Sequence, residues 1–204
     1  PGSFEWAAES AQTTHLSVVD RERNAVALTY TLEDNYGAAI VVPGAGFLLN
    51  NEMGDFNAGP GLTTVDGLIG TPPNMAAPGK RMLSSMTPTI LAKDGQLAMV
   101  SGTPGSRTIL NTVLLTILNV VDFGMNAQEA VDAGRFHHQW LPDRINYEKF
   151  AFSPDTVALL KAKGHEMREG DSQGVAEVIV VDQETKTLEG GLDRRQSDGG
   201  VGVR

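Results

Sequence analysis

Thr13, Thr14 and His15 open a β-rich run, TTHLSVVD, after an upstream segment PGSFEWAAESAQ. A threonine hydroxyl is a weak nucleophile unless a base stands beside it. Were the Gln12–Thr13 bond broken, Thr13 would carry a free α-amine of pKa about 8 close to its own hydroxyl, which makes a self-activated nucleophile. The hydroxyl can release that amine itself by attacking the Gln12 carbonyl, giving an ester that water hydrolyses. The same residues also suit the first positions of a half-buried strand. A second chemical signal is Thr103-Pro104-Gly105-Ser106, a glycine turn feeding an apolar helix. Such a turn can aim backbone N–H groups and a helix dipole at a developing oxyanion. His137 and His138 are adjacent, so on a helix they diverge by about 100°, and no cysteine or Glu-x-x-His pattern accompanies them. No metal site is predicted there, and His15 and His165 read as structural.

Positioning these groups falls first to a hairpin. TTHLSVVD and AVALTYTL flank the charged turn Arg21-Glu22-Arg23-Asn24, and centring the hairpin on Glu22 sets Thr13 opposite Thr31, about 5 Å apart at Cβ. A slip of one residue would break that pairing. Further strand pairs are expected at Ala38 to Val42 with Gly46 to Asn50, around Pro43-Gly44, and at Pro88 to Lys93 with Leu97 to Gly102, around Asp94-Gly95. The aperiodic stretch Asn57 to Lys80 reads as a mobile cover. Ile109, Val113, Ile117 and Val121, with Leu110, Leu114 and Leu118 beside them, predict a helix buried in the core. Asn126 caps a short helix through Ala133, and Ser153-Pro154-Asp155 opens another that ends at Gly164. Val175 to Val181 and Thr187 to Gly191 close the chain as a hairpin. Strands, then helices, then strands imply an α+β fold of stacked helix and sheet layers, without βαβ alternation.

Composition narrows the partners. The chain has 204 residues, 41% of them apolar, enough for one globular core. Its net charge of -9 lacks the basic stripe that nucleic acid or an anionic membrane requires. No apolar run approaches the roughly 20 residues of a membrane span. Cysteine is absent, which excludes disulfide and thiolate chemistry. Arg194-Arg195 is too short for nucleic acid and is expected to solvate or pair the acidic C-terminal segment.

QTTHLSVVD followed by NAVALTYTL is very similar to the processing site of γ-glutamyltransferases, members of the N-terminal-nucleophile hydrolases. LLNNEMGDF, the run Arg81 to Thr89, SGTPGS and GRFHHQWLP resemble further blocks of that family, in its order, from Gln12 to the end of the chain. The resemblance implies the small-subunit half of an αββα sandwich, mainly antiparallel in its sheet. Residues 1-12 would then end the large subunit, and residues 13-204 would form the catalytic small subunit, completed by the large-subunit half of the same precursor.

Carried across residue by residue, the resemblance implies autocleavage between Gln12 and Thr13, with Thr13 as nucleophile and Thr31 as the hydroxyl that orients it. Gly105 and Ser106 would form the oxyanion hole, Ser106 standing where the family has a second glycine. A left-handed conformation at that serine would be strained. Glu33, Glu52 and Asp55 would face the α-ammonium of a γ-glutamyl donor such as glutathione, while Ser84 and Ser85 would serve its α-carboxylate. Three acids around one cation should raise a carboxyl pKa or hold a counter-ion. An amino acid, a dipeptide or water would accept the γ-glutamyl group, with no cofactor. Asp66 falls where many members carry an aromatic gate, which suggests a looser lid. The family further suggests a periplasmic or secreted protein. Two rival readings are a cephalosporin or glutaryl acylase with the same machinery, and an uncleaved, non-catalytic precursor or fragment.

Overall fold

Asp20 closes the first turn, its two carboxylate oxygens each accepting at 2.8 Å, one from the Asn24 backbone N–H and one from its side-chain amide. The flanking runs become β1 (Thr14–Val19) and β2 (Ala25–Tyr30), antiparallel, with Thr14 opposite Tyr30 and Val19 opposite Ala25. Continued by one residue, this register sets Thr13 opposite Thr31, as the sequence predicts. The computed structural model describes residues 13–203 apart from 58, 60, 62, 66–69 and 197–198. Gln12 and Asp66 therefore lie outside the described residues.

The hairpin is inside out. His15 and Thr29 are buried, whereas Leu16, Val18, Val26, Leu28 and Tyr30 on the other face are each between 45% and 57% exposed.

A four-stranded antiparallel sheet runs in the order β3 (Thr89–Lys93), β4 (Gln96–Gly102), β8 (Glu177–Val181) and β9 (Leu188–Leu192). Helices α1 (Ile109–Val121) and α2 (Ala127–Asp132) pack on it through Met99, Ala127, Val131, Ala176, Val178 and Val180. The expected capping box holds α2: Asn126 accepts from the Glu129 N–H and Glu129 accepts from the Asn126 N–H. α3 (Pro154–Ala162) likewise starts at Ser153, whose hydroxyl accepts from Thr156.

Three expectations need correction. The runs around Pro43-Gly44 form a ribbon with a single bridge, Val41 to Leu48, because left-handed residues at Gly37, Ala39, Gly44 and Gly46 interrupt the extended backbone. Helix α1 is not wholly core: Ile109, Thr112, Val113 and Thr116 are buried, but Leu110, Leu114 and Val121 are more than half exposed. Finally, β5 (Phe136–His137), β6 (Ile145–Glu148) and β7 (Met167–Gly170) make a small third sheet in which β6 and β7 run parallel across α3. The chain thus contains one βαβ crossover, and His137 lies on a strand.

Arg194 and Arg195 do pair with acids, but Arg195 does so inside the fold. It meets Glu148 at 2.6 Å and Asp193 at 3.1 Å, while Arg135, almost fully buried, meets Asp193 at 2.6 Å. Burial opposes ionisation of Glu148, yet hydrogen bonds from Arg195 and from the backbone N–H groups of Gln173 and Arg135 hold its carboxyl below the usual range.

Candidate active site

The β1–β2 hairpin delivers two hydroxyls to one end. Thr31 leaves β2 and its Oγ1 accepts a hydrogen bond from the Glu33 N–H at 2.9 Å. The hydroxyl still has a proton to donate, and at the opposite strand end the register sets Thr13, half-buried.

His15, next along, lies under the hairpin: Nδ1 meets Thr29 Oγ1 at 2.8 Å and Nε2 meets Ser17 Oγ at 3.0 Å. Burial lowers its pKa to about 4, so the ring is neutral at pH 7 and serves structure, as read from the sequence. A Cβ on Gly102 would fall 2.0 Å from this imidazole. Only glycine fits there, and the contact sets the end of β4, hence the start of the Thr103 to Ser106 turn, against the base of the Thr13 strand.

Glu33, Glu52 and Asp55 converge. One carboxylate oxygen from each lies within 4.8 Å of the others. Two local devices bring them together. Asp34 and Asn51 exchange hydrogen bonds at 3.1 and 2.6 Å, and the Asn51 N–H donates to Leu32 O at 3.1 Å, which staples the segment after β2 to the 3-10 turn Glu52–Asp55. Glu33 itself takes a left-handed φ of 75°, a strained choice for a non-glycine residue. Burial first, then the Asp55 and Glu52 charges, push the Glu33 carboxyl up to about 7. Burial and Asp55 raise Glu52 as well. Glu52 is only 7% exposed, and its carboxyl shares a side-chain hydrogen bond with that of Glu33.

The serine segment is tied to this cluster by a residue that the sequence does not flag. Asn74, buried at the end of a 3-10 turn (Pro72–Asn74), donates to Asp55 O at 2.6 Å and to Asn57 Oδ1 at 3.2 Å, and accepts from the Leu83 N–H at 2.9 Å. One amide thereby fixes the chain at Asp55 relative to the chain entering Ser84-Ser85. The Ser84 hydroxyl accepts from the Met86 N–H at 3.2 Å, and Ser85 is half-buried. The described residues of the expected cover, 57–80, are irregular apart from this turn and a bridge between Asn57 and Met75.

The expected oxyanion-hole residues lie on a separate turn: Gly105 (φ 138°, ψ 24°) precedes a 3-10 turn, Ser106–Thr108, that runs into α1. Ser106 has φ 53°, the strained conformation that the sequence raises as a concern. The turn is buttressed: Thr103 Oγ1 accepts from the Val175 N–H at 2.8 Å, and a Cβ on Gly105 would come within 2.8 Å of Gly174 Cα. Arg135 holds that support, donating to Gln173 O at 2.7 Å and Gly174 O at 3.3 Å. Gly105 and Ser106 border an open cavity of about 780 Å³ that also includes His137, Arg144 and Arg168. Arg135 and Gly174 are further residues that sequence reasoning missed; no spacing pattern marks them.

The sequence family described as Gamma-glutamyltranspeptidase matches residues 2–203. The chain is 50% identical over 190 residues to the glutathione hydrolase proenzyme of Escherichia coli (strain K12), covering 93% of this chain and 32% of that protein. It is 53% identical over 156 residues to the glutathione hydrolase proenzyme of Pseudomonas sp. (strain A14), covering 76% of this chain and 27% of that one. The chain therefore spans about a third of the length of these relatives. Among solved structures, an alanine mutant of Helicobacter pylori gamma-glutamyltranspeptidase superposes with a TM-score of 0.82 at 45% identity, over 90% of this chain and all of that one. A cephalosporin acylase from Bacillus halodurans is more distant, with a TM-score of 0.73 at 26% identity over 93% of this chain and 35% of that one.

Proposed function

The chain belongs to the gamma-glutamyltranspeptidase family, an α+β N-terminal-nucleophile hydrolase fold, and on that premise we propose that it is the catalytic small-subunit part of a γ-glutamyltransferase and glutathione hydrolase. Residues 1-12 end the large subunit and residues 13-204 follow the cleavage point between Gln12 and Thr13. After cleavage the Thr13 hydroxyl attacks the γ-glutamyl carbonyl while the Thr13 α-amine takes its proton. The C–N bond breaks, the proton passes to the leaving amine, and a γ-glutamyl ester remains on Thr13. Water, or the amine of an amino acid or dipeptide, then attacks the ester and returns the proton to Thr13. Thr31 orients the nucleophile, and the N–H groups of Gly105 and Ser106 stabilise the tetrahedral anion. Glu33, Glu52 and Asp55 receive the donor's α-ammonium, and Ser84 and Ser85 its α-carboxylate. The chemistry uses no cofactor.

The observation that carries this reading is the convergence of three carboxylates, one of them on Glu33, whose N–H donates to Thr31. A glutaryl side chain has no ammonium to meet them, and burying anions against nothing is costly. The experiment compares a γ-glutamyl anilide with the glutaryl anilide, which differs only in lacking the α-amine, using the whole processed protein. The γ-glutamyl donor should be preferred in kcat/KM by about two orders of magnitude, the worth of a partly buried charge pair. Equal rates on both would favour the acylase reading instead.

Ser106 offers a narrower test. The hole uses a backbone N–H, so Ser106→Ala and Ser106→Gly should each keep kcat within a few-fold of the parent. Losing a real oxyanion donor costs about 10²–10³. The glycine variant should also be the more stable of the two on thermal unfolding: relief of about 1–2 kcal/mol of left-handed strain outweighs about 0.5–1 kcal/mol of added chain entropy. A large fall in kcat for both variants would assign the hydroxyl a direct role.

Among the described residues no helix is long and apolar enough to cross a membrane. We place the protein outside the cytoplasm, in the periplasm or secreted, by family resemblance. The exposed apolar faces of β1–β2 and α1 support a large-subunit half as the standing partner.

A further inference from the structure

We propose that the cavity beside the Gly105–Ser106 turn binds the amine-side peptide of the reaction, the part that leaves the donor or accepts from it, and that Arg144 and Arg168 hold that peptide's carboxylate. The carboxylate site stands on geometry, whereas its place in the reaction rests on the proposed γ-glutamyl reading.

The cavity has two walls. One is the turn from Gly105 to Thr108. The other is the small third sheet, whose register pairs His137 with Asn146 and Asn146 with Arg168. These three side chains therefore stand in a row across one face, and all three border the cavity. Arg144 precedes Asn146 by two residues, which puts it on the same face, and it borders the cavity as well.

Position identifies the part of the substrate that belongs here. The acids and serines proposed for the γ-glutamyl group do not border this cavity, whereas Gly105 and Ser106 do. With the scissile carbonyl oxygen on those two N–H groups, the cavity lies open to the other side of the amide: the cysteinylglycine part of glutathione, or an incoming dipeptide.

Charge and one orphaned nitrogen give the chemistry. Three guanidiniums, Arg107, Arg144 and Arg168, against two carboxylates, Glu169 and Asp171, leave the lining cationic in a chain whose net charge is -9. Arg144 and Arg168 form no ion pair with any described residue, and Arg144 Nε is buried without a partner. An unpaired guanidinium beside a cavity suits a carboxylate, which it grips through two parallel N–H donors. His137 is only 5% exposed. Gln139 Nε2 donates to Leu141 O at 2.9 Å, so Gln139 Oε1 accepts from His137 Nε2 at 2.8 Å. Nδ1 then keeps a lone pair that no described residue meets, a costly state for a buried acceptor. A peptide offers both complements, an amide N–H for the lone pair and a carboxylate for the guanidiniums.

The test uses the whole processed protein and two probes, glycylglycine and glycylglycinamide, in which a neutral amide replaces the carboxylate. By calorimetry with no donor present, glycylglycine should bind one site per chain at least tenfold tighter than the amide, the worth of a charge-assisted hydrogen bond. Arg144→Gln and Arg168→Gln, the second at an exposed position, should each remove that preference. Arg144→Lys should keep part of it, because the charge survives without the fork. Arg21→Gln, an exposed arginine in the β1–β2 turn, should leave binding as it was. In turnover, the loss of kcat/KM caused by Arg144→Gln should be at least tenfold greater for glutathione, whose leaving group carries a carboxylate, than for a γ-glutamyl anilide, whose leaving group carries none. No saturable heat at tens of millimolar glycylglycine, equal affinity for the two probes, or an unchanged preference in both glutamine variants overturns the site. Arginine-dependent binding with equal kinetic losses on the two donors overturns its place in the reaction. A parent protein that binds glycylglycine as expected but hydrolyses no γ-glutamyl compound overturns the functional reading and leaves the carboxylate site standing.

Discussion

A Thr13→Ala precursor should stay in one piece and should not turn over a γ-glutamyl anilide. Both steps draw on the same hydroxyl, first against the Gln12 carbonyl and then against the donor. Removing a hydrolase nucleophile costs on the order of a million-fold in kcat, which takes the rate to background. Thr13→Ser keeps an oxygen and an α-amine, so it should still split and still turn over, more slowly. Intact mass reports the first step, and anilide hydrolysis by the same preparation reports the second. Should the alanine variant still divide, the nucleophile lies elsewhere and the pairing of Thr13 with Thr31 loses its meaning. The backbone supports the assignment, since the β1–β2 register sets Thr31, which still has its proton to donate, opposite Thr13.

The second large effect is expected at Asp55. Asp55→Asn keeps the shape and the backbone carbonyl that Asn74 grips, but removes one negative charge facing the donor ammonium. A desolvated charge pair of about 2–3 kcal/mol corresponds to roughly 30- to 150-fold in affinity. KM for the γ-glutamyl anilide should rise by that factor with kcat nearly unchanged, because the ammonium is bound alike in ground and transition states. The glutaryl anilide should show no penalty. It gains if anything, since the Glu33 and Glu52 carboxyls then feel one less neighbouring charge. Steady-state kinetics on the two donors settles the matter: a loss of equal size on both would mean that Asp55 only holds the loop.

How far these features can be read from sequence depends on where their cause lies. The β1–β2 register follows from two alternating runs around a charged turn, and the structure keeps it. The caps at Asn126 and Ser153 are equally local and equally legible. Strands β5, β6 and β7 escape notice because they are two to four residues long and carry His, Asn, Glu and Arg in place of an apolar alternation. Helix α1 is apolar on nearly every side, which ordinarily means full burial. Here Leu110, Leu114 and Val121 stay more than half exposed among the described residues. In the site, the three acids come from family resemblance, and no spacing rule joins Glu33 to Glu52. Asn74 and Gly174 act through contacts between distant segments, and nothing in their local sequence shows it.

The inside-out hairpin also bears on how the two halves stay together. While the Gln12–Thr13 bond is intact, whatever covers Leu16, Val18, Val26, Leu28 and Tyr30 is tethered to the strand it covers, and its effective concentration is set by the linker and not by the solution. Scission at the head of that strand turns an intramolecular contact into an intermolecular one. The uncut precursor should therefore unfold at a denaturant concentration independent of dilution, and the cut form should become progressively easier to unfold as it is diluted. The proposed cleavage would thus leave the molecule's cohesion subject to mass action.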